Sequence, residues 1–435
     1  MNDAEKVQVL VIGAGPTGIG AAVRLRELGV EHLVVDAGAV AGGMAASRPD
    51  AHGFIWDLGG HVIHSHFEDF DQVVQLSGAP MRQVERHGMV WMDGQDAGSM
   101  IPAPVQAQLE RLPSDLAPTA PADNLAQYYR NCFGRELYES FFRPYNEKMW
   151  TVPLESVDHR WTSLRSGGKG RNVPELSLRG DRDTPRETFP YPVGGTGALW
   201  QAIVDNVADP GSFRFDTRVE SLDIAARRAH LAGGGVVEYE TLVSTAPMVW
   251  MLEQMGMHEG VDALCASTEL AVGFGMRGAP PASLQGVTWM YCPDRRVPWF
   301  RATVLSNYDP SVAGEGRWSL LLEVSAPHGT DLDPEEASDR TLRSLEPLGV
   351  HAEGVVSVWT ETLPMGYPVP TLGRDDVLHR ADSWLLERSV RSRGRFGGWR
   401  YESCNQDYSY MQGRQAVDAE FHGISEDVLW QPEKF

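Results

Sequence analysis

The chain has 435 residues, 42% hydrophobic and 22% charged. That is ordinary globular composition, too long for one core, and it sets aside disordered, collagen-like and coiled-coil readings. The formal net charge of −21 argues against general binding to nucleic acid or anionic membranes, since both need a positive field.

VQVLVIG at 7–13 is a continuous valine-rich run and reads as a buried parallel strand. GAGPTGIG follows at 13–20, then AAVRLREL with helical periodicity, then HLVVD at 32–36, a second short strand ending on an acid. Gly13, Gly15 and Gly18 fill the GxGxxG slots. The first allows the tight turn, the second lets backbone approach a pyrophosphate, and the third lets the helix sit close to the strand. Asp36, 18 residues past Gly18, stands where a carboxylate accepts ribose hydroxyls. A dinucleotide site is expected. Gly42-Gly43-Met44 after that acid, and a further Gly-Gly before His61, follow the pattern of flavoproteins resembling the amine oxidase and glutathione reductase group, so FAD is the expected cofactor.

From about 105 to 165 the sequence is helical in flavour. Tyr128, Tyr129, Phe133, Leu137, Phe141, Phe142 and Tyr145 recur at helical spacing and read mainly as core. Gly/Ser/Arg-rich sequence at 165–172 reads as a mobile loop. FRFDTRVESLDI and VEYETLVSTAP look like strands. LAVGFGMRG, VTWMYC, FRATVLSN and WSLLLEVS suggest an antiparallel sheet. A glycine-rich turn and a helix, able to close over the cofactor, end the chain. Two basic islands interrupt the acidic background: seven cations against three acids over Arg160–Arg186, and five arginines against one acid over Glu387–Arg400. Each reads either as a solvated loop or as a site for a compact anion such as a diphosphate. No apolar stretch approaches the roughly 20 residues of a membrane helix. Cys132, Cys265, Cys292 and Cys404 show no CxxC pairing. A cytoplasmic, reduced protein with no metal site is expected.

Several strings resemble UDP-galactopyranose mutases, specifically the larger eukaryotic-type branch: VIGAGPTGIGAA, GGHVIHSH, FFRPYNEKMWTVP, GGTGALW, VSTAP, VPWFRATVLSNY, GYPVPTL and RGRFGGWRYESCNQDYSYM. They span nearly the whole chain. The resemblance implies an α/β fold: a Rossmann-like FAD-binding domain (1–75 with 192–255 and 385–435), a helical substrate domain (103–165), and an antiparallel sheet domain carrying the lid loops (76–102 with 166–191 and 256–384). It implies interconversion of the pyranose and furanose forms of a nucleotide-diphosphate galactose, started by attack of reduced-flavin N5 on the anomeric carbon. NAD(P)H is the expected reductant.

The same resemblance assigns residues. Arg165 and Arg301 match the pair that clamps the diphosphate. Tyr308, Tyr367 and Tyr401 match tyrosines at the diphosphate and sugar. Asn146 and Trp150 match the lining of that pocket, and Trp289 and Tyr291 match aromatics at the sugar and base. His61 matches a histidine lying against the flavin, Arg395 an arginine near sugar and flavin, and Arg86 one near the isoalloxazine. Asn405, Gln406 and Ser409 match cofactor contacts, as do Pro16, Thr17, Gly42, Gly43, Met44, Gly60, Val62, Val219 and Gly394.

The chain also departs from the family. Where the base-binding segment reads like PYPFQN, this sequence has Pro102-Ala103-Pro104-Val105-Gln106-Ala107. Gln106 remains, but two aromatics are gone. Stacking on a base is worth about 1–3 kcal/mol, so a purine or dTDP nucleotide competes with UDP as the substrate's carrier. His64 replaces an aromatic beside the flavin, Arg186 adds a cation in the second loop over the diphosphate, and Asp309–Trp318 is short where fungal relatives make subunit contacts. A monomer or homodimer is expected. Rival functions are an amine oxidase-type flavoprotein and a nucleotide-sugar-binding protein without activity.

Overall fold

The computed structural model describes residues 4–91, 119–164 and 188–435. The valine-rich run forms strand Glu5–Ile12 at the centre of a seven-stranded sheet, parallel to His32–Val35 on one side and to Val236–Ser244 on the other. Phe213–Arg214 and Val390–Ser392 add parallel pairs, while Arg228–Leu231 and Val219–Asp223 continue it antiparallel. Both faces are covered, which is why the strand reads as continuously apolar rather than alternating. Val9, Val11, Val34 and Val243 pack on helix residues Ala21, Leu25, Ala416 and Val417. Leu10, Ile12, Val35 and Leu242 face helices Met248–Met255 and Arg374–Leu386.

The second sheet has six strands. Ser267–Arg277 lies between Arg317–Pro327 and Val355–Leu363, and Arg301–Thr303 and Trp289–Tyr291 continue it, all antiparallel. Its last strand, Gly88–Val90, runs parallel to Trp289–Tyr291, so the sheet is mixed rather than purely antiparallel. The expected strand FRATVLSN splits: Arg301–Thr303 is strand and Leu305–Tyr308 is a helical turn. Gly273 and Gly275 leave room for two rings. A Cβ there would lie 2.7 Å from Trp56 and 2.5 Å from Phe54, which locks the ribbon Ser47–Pro49/Ile55–Asp57 onto the sheet.

Against the second sheet, the aromatic stripe forms helices Leu125–Leu137 and Arg143–Trp150 joined by a π-turn at Tyr138–Phe142. Gly134 at φ 78° breaks the first helix. Tyr129, Phe133, Phe141, Phe142 and Tyr145 are buried in one cluster with Trp150 and Trp161. No helix among the described residues is long and apolar enough to cross a membrane.

The last long helix, Gln406–His422, crosses Pro16–Leu28 at backbone contact. A Cβ on Gly20 would sit 2.1 Å from the Tyr410 carbonyl oxygen, and one on Gly413 would sit 1.9 Å from that of Thr17. Neither neighbour is a side chain that can swing away. Gly413→Ala is therefore expected to lower stability by about 1–3 kcal/mol through overpacking, read as a shift in the urea unfolding midpoint.

Candidate active site

The helix beginning at Pro16 and the one beginning at Gln406 point their N-termini into one cavity of about 600 Å³. Gly15 offers no capping side chain, so the first N–H groups and the positive dipole end are left for an anion. Gly15 and Gly43 nearly touch, with a Cβ on Gly43 falling 3.1 Å from Gly15 Cα. Two glycine turns thus bring bare backbone to one wall. Gly13, at φ 101°, faces Thr245, whose Oγ1 would be 1.9 Å from a Cβ there. Gly18 would meet the Gly13 carbonyl oxygen at 1.8 Å. Asp36 is fixed at the strand end by the N–H groups of Ala14 and Gly38, both donating over 2.6 Å. Gln406 Nε2 is buried without a hydrogen-bond partner among the described residues. Free helix N–H groups, a bare glycine wall, a carboxylate at the strand end and an unused amide donor fit FAD.

The other half of the cavity is ionic. Arg301 forms a bidentate pair with Glu323, one arm over 2.5 Å, and donates to the Tyr367 hydroxyl over 3.1 Å. Burial opposes the charge on Arg301, but Glu323 and Tyr367 outweigh it and raise its pKa well above the ordinary value. Burial also works against Glu323, and Arg301 more than offsets it, so this carboxylate stays ionised. Arg395 lies 4.7 Å over the Tyr367 ring and donates twice to the Gly366 carbonyl, over 3.2 and 3.0 Å. His61 is neutral: burial, then the Arg395 cation, push its ring down to about 4. Glu269 is held neutral by burial and by the neighbouring Glu323.

Aromatic groups close the walls. Tyr401 stands edge-on to Trp150, Trp161 and Tyr367 at centroid distances of 4.7, 5.2 and 5.8 Å. Tyr291 meets Tyr145 edge-on at 5.4 Å, and Arg86 lies 5.3 Å over Trp289. Asn146 is fixed by donating to the Phe142 carbonyl over 2.7 Å.

Of the residues expected at the site, Gly15, Pro16, Thr17, Asp36, Gly43, Met44, Gly60, His61, Val62, Gly394, Asn405, Gln406 and Ser409 line this cavity, as do Arg86, Asn146, Trp289, Tyr291, Arg301, Tyr367, Arg395 and Tyr401. His64 lines it too. Gly13, Gly18 and Gly42 shape the turns behind the wall. Trp150 is fully buried one layer behind Tyr401. Tyr308 is buried against Phe189 and Tyr191 and borders a separate concavity with Arg82 and Asn307. Val219 starts an outer strand and lines neither. Arg165, Arg186, Ala103, Val105 and Gln106 lie outside the described residues. The sequence reading missed Glu269 and Glu323, and it placed Tyr129 and Tyr145 in a stripe read mainly as core, without assigning them to the cavity that both also line. An acid inside an apolar strand, as in LLLEVS and STELAV, was the available signal.

The second basic island needs correcting. As a whole it is neither a solvated loop nor an anion site. Arg391 and Arg393 pair with Glu426, Arg393 also with Asp382, and Arg400 with Asp375 and Glu402. Arg388 lies 3.8 Å over Trp384. Only Arg395, among the five, lines the cavity.

A family model described as an NAD(P)-binding Rossmann-like domain matches residues 11–76. A crystal structure of reduced UDP-galactopyranose mutase superposes with a TM-score of 0.85 at 31% identity, covering 98% of this chain and 98% of that one. The chain belongs to the UDP-galactopyranose mutase family. It is a mutase-family flavoprotein with a Rossmann-like cofactor domain. A redesigned putrescine oxidase (TM-score 0.69, 17% identity, 95% of this chain and 99% of that) and a fatty acid isomerase from P. acnes (0.65, 14%, 96% and 99%) share the fold alone.

Neutral His61 makes a pH signature. Below about pH 6.5 the unfolded chain takes up a proton that the folded protein refuses until about 4. Stability relative to His61→Gln should fall by about 1.4 kcal/mol per pH unit as pH drops through that window, and stay level above it. Urea midpoints at a series of pH values check this.

Proposed function

We propose that this protein interconverts the pyranose and furanose forms of a nucleotide-diphosphate sugar, with UDP-galactose the first candidate and reduced FAD the cofactor. The observation that carries the reading is the juxtaposition in one cavity of a dinucleotide cradle with two arginines, Arg301 and Arg395, set among tyrosines. An amine oxidase has no need of paired cations where its substrate sits. A departing diphosphate does, because it gains charge as the anomeric bond breaks, and fixed guanidinium forks stabilise that charge. The eukaryotic-type branch is supported by the strings GGHVIHSH and RGRFGGWRYESCNQDYSYM. When bound, reduced FAD supplies the nucleophile, its N5.

The chain's own residues do the rest. Arg301 and Tyr367 hold the diphosphate, with Arg165 as the second clamp of the pair. Arg395, fixed through Gly366, faces the sugar. Tyr401, Tyr291 and Trp289 enclose the sugar and exclude water. His61, being neutral, adds no competing charge. NAD(P)H is the proposed reductant, reaching the flavin through the substrate cleft.

The decisive experiment is anaerobic turnover of the dithionite-reduced protein with UDP-galactopyranose and UDP-galactofuranose, beside GDP- and dTDP-linked hexoses and an oxidised control. Ring isomerisation confined to the reduced sample is expected. Flavin reduction by an amine, with no isomerisation, would move the protein to the oxidase class. The best-used nucleotide reports the base preference that Ala103 and Val105 leave open. Arg301→Ala removes one partner of a desolvated charge pair, a loss of about 2–5 kcal/mol. Turnover should fall at least about 30-fold with FAD still bound, as the flavin absorbance of the purified variant will show.

A further inference from the structure

Glu269 has no part in the mechanism above, yet it lines the same cavity at 3% exposure. Its place follows from register. Ala271 pairs with Glu323 across the sheet and Glu269 pairs with Ser325, so the two acids are diagonal neighbours on one face. They hydrogen-bond to each other, and Glu269 Oε1 has no further partner among the described residues. Gly366 closes over the acid, since a Cβ there would lie 2.5 Å from Glu269 Oε2.

Two touching carboxylates do not both ionise; they share one proton. The split here is set by contacts. Glu323 already receives both arms of Arg301 and, over 3.4 Å, the Gly60 N–H. The negative charge belongs there and the proton on Glu269. The groups facing Glu269 are then two cations, Arg301 and Arg395, one anion, Glu323, and the neutral Tyr367, while the neutral His61 stands by Glu323. The cluster keeps one net positive charge, and it holds a carboxylic acid at the cavity wall.

We propose that Glu269 is the acid–base group of sugar ring opening and closing, an inference that rests on the mutase function proposed above. On opening, the C1–O5 bond breaks with its electron pair on O5, and that oxygen takes the Glu269 proton. On closing, the 4-hydroxyl oxygen bonds to C1 and its proton passes back to the Glu269 carboxylate. C1 exchanges one C–O bond for another, one proton leaves and one returns, and no oxidant or reductant is consumed.

Infrared spectra of the wild-type FAD-bound protein test the protonation directly. A carbonyl stretch of a neutral carboxylic acid, shifted in D2O and lost in Glu269→Gln, is expected; its absence from the wild type overturns the proposal. Turnover tests the role. Glu269→Gln should bind FAD and UDP within about threefold of wild type. It should still scramble an oxygen isotope between the bridging and non-bridging positions of the nucleotide sugar, which reads anomeric bond cleavage alone. Its ring interconversion should fall about 10²–10⁴-fold, the range of general acid–base catalysis. Glu269→Asp, which keeps an acid, should retain more activity than Glu269→Gln. Interconversion in Glu269→Gln within about threefold of wild type, or loss of scrambling along with it, refutes the assignment. If the wild type itself isomerises no nucleotide sugar, the mutase function fails first, and the infrared band separately reports the shared proton.

Discussion

A cation held largely out of water must be neutralised from the protein side, and at Arg301 that task falls to Glu323. An unpaired guanidinium there would carry a desolvation penalty of several kcal/mol. The pairing arises because strands Arg301–Thr303 and Arg317–Pro327 place the two residues directly opposite. Much else is arranged around it. Gly59 and Gly60 carry no side chains because Cβ atoms there would fall 3.2 Å from Glu323 and 2.4 Å from Thr303. Their bareness lets the loop holding His61 lie flat against the pair. Tyr367 lends its hydroxyl to Arg301 and its ring face to Arg395. Such pairs are weak devices for stability. On the function proposed above, this one is better understood as a way of keeping a cation available where an anion is to be held.

The cofactor half depends on close backbone contact instead of charge. The two helices that aim N-termini into the cavity come from opposite ends of the sequence, and Gly20 and Gly413 let them cross without intervening side chains. The segment leading into the second helix is riveted by ion pairs: Arg391 and Arg393 to Glu426, and Arg374 and Arg400 to Glu402. The arginines concentrated there serve the scaffold, and Arg395 serves the site.

The dinucleotide fingerprint was legible because its geometry is local. Three glycines and an acid at fixed offsets determine a turn whatever surrounds them, and the buried strand before them shows in its run of valines. The arginines and tyrosines of the polar half could be placed only through resemblance, because register and sheet order bring them together. Glu323 and Glu269 illustrate the difficulty. A single acid in an apolar strand looks like an exposed position, and only the cross-strand partner reveals a buried one. Tyr129 and Tyr145 show the converse, core residues whose stripe turns out to border a cavity. The strand expected over residues 300–307 fails after Thr303, where the chain folds into a short helix that buries Tyr308 away from the main cavity. The mixed second sheet was hidden for a similar reason: Gly88–Val90 is too short to carry a periodic signal, and its parallel pairing is a tertiary event.

The contact between Gly413 and Thr17 has a consequence for biosynthesis. The first strand, turn and helix are translated long before the wall that completes their cofactor seat, since Gln406–His422 follows Pro16–Leu28 only after both sheets have been made. Until then the tightly cut groove around Gly20 has no partner, and the phosphate-binding turn has only half of its surroundings. Cofactor capture is thereby tied to translation through Gln406–His422, and a ribosome that stalls before Gln406 leaves a fragment that carries the fingerprint without the seat.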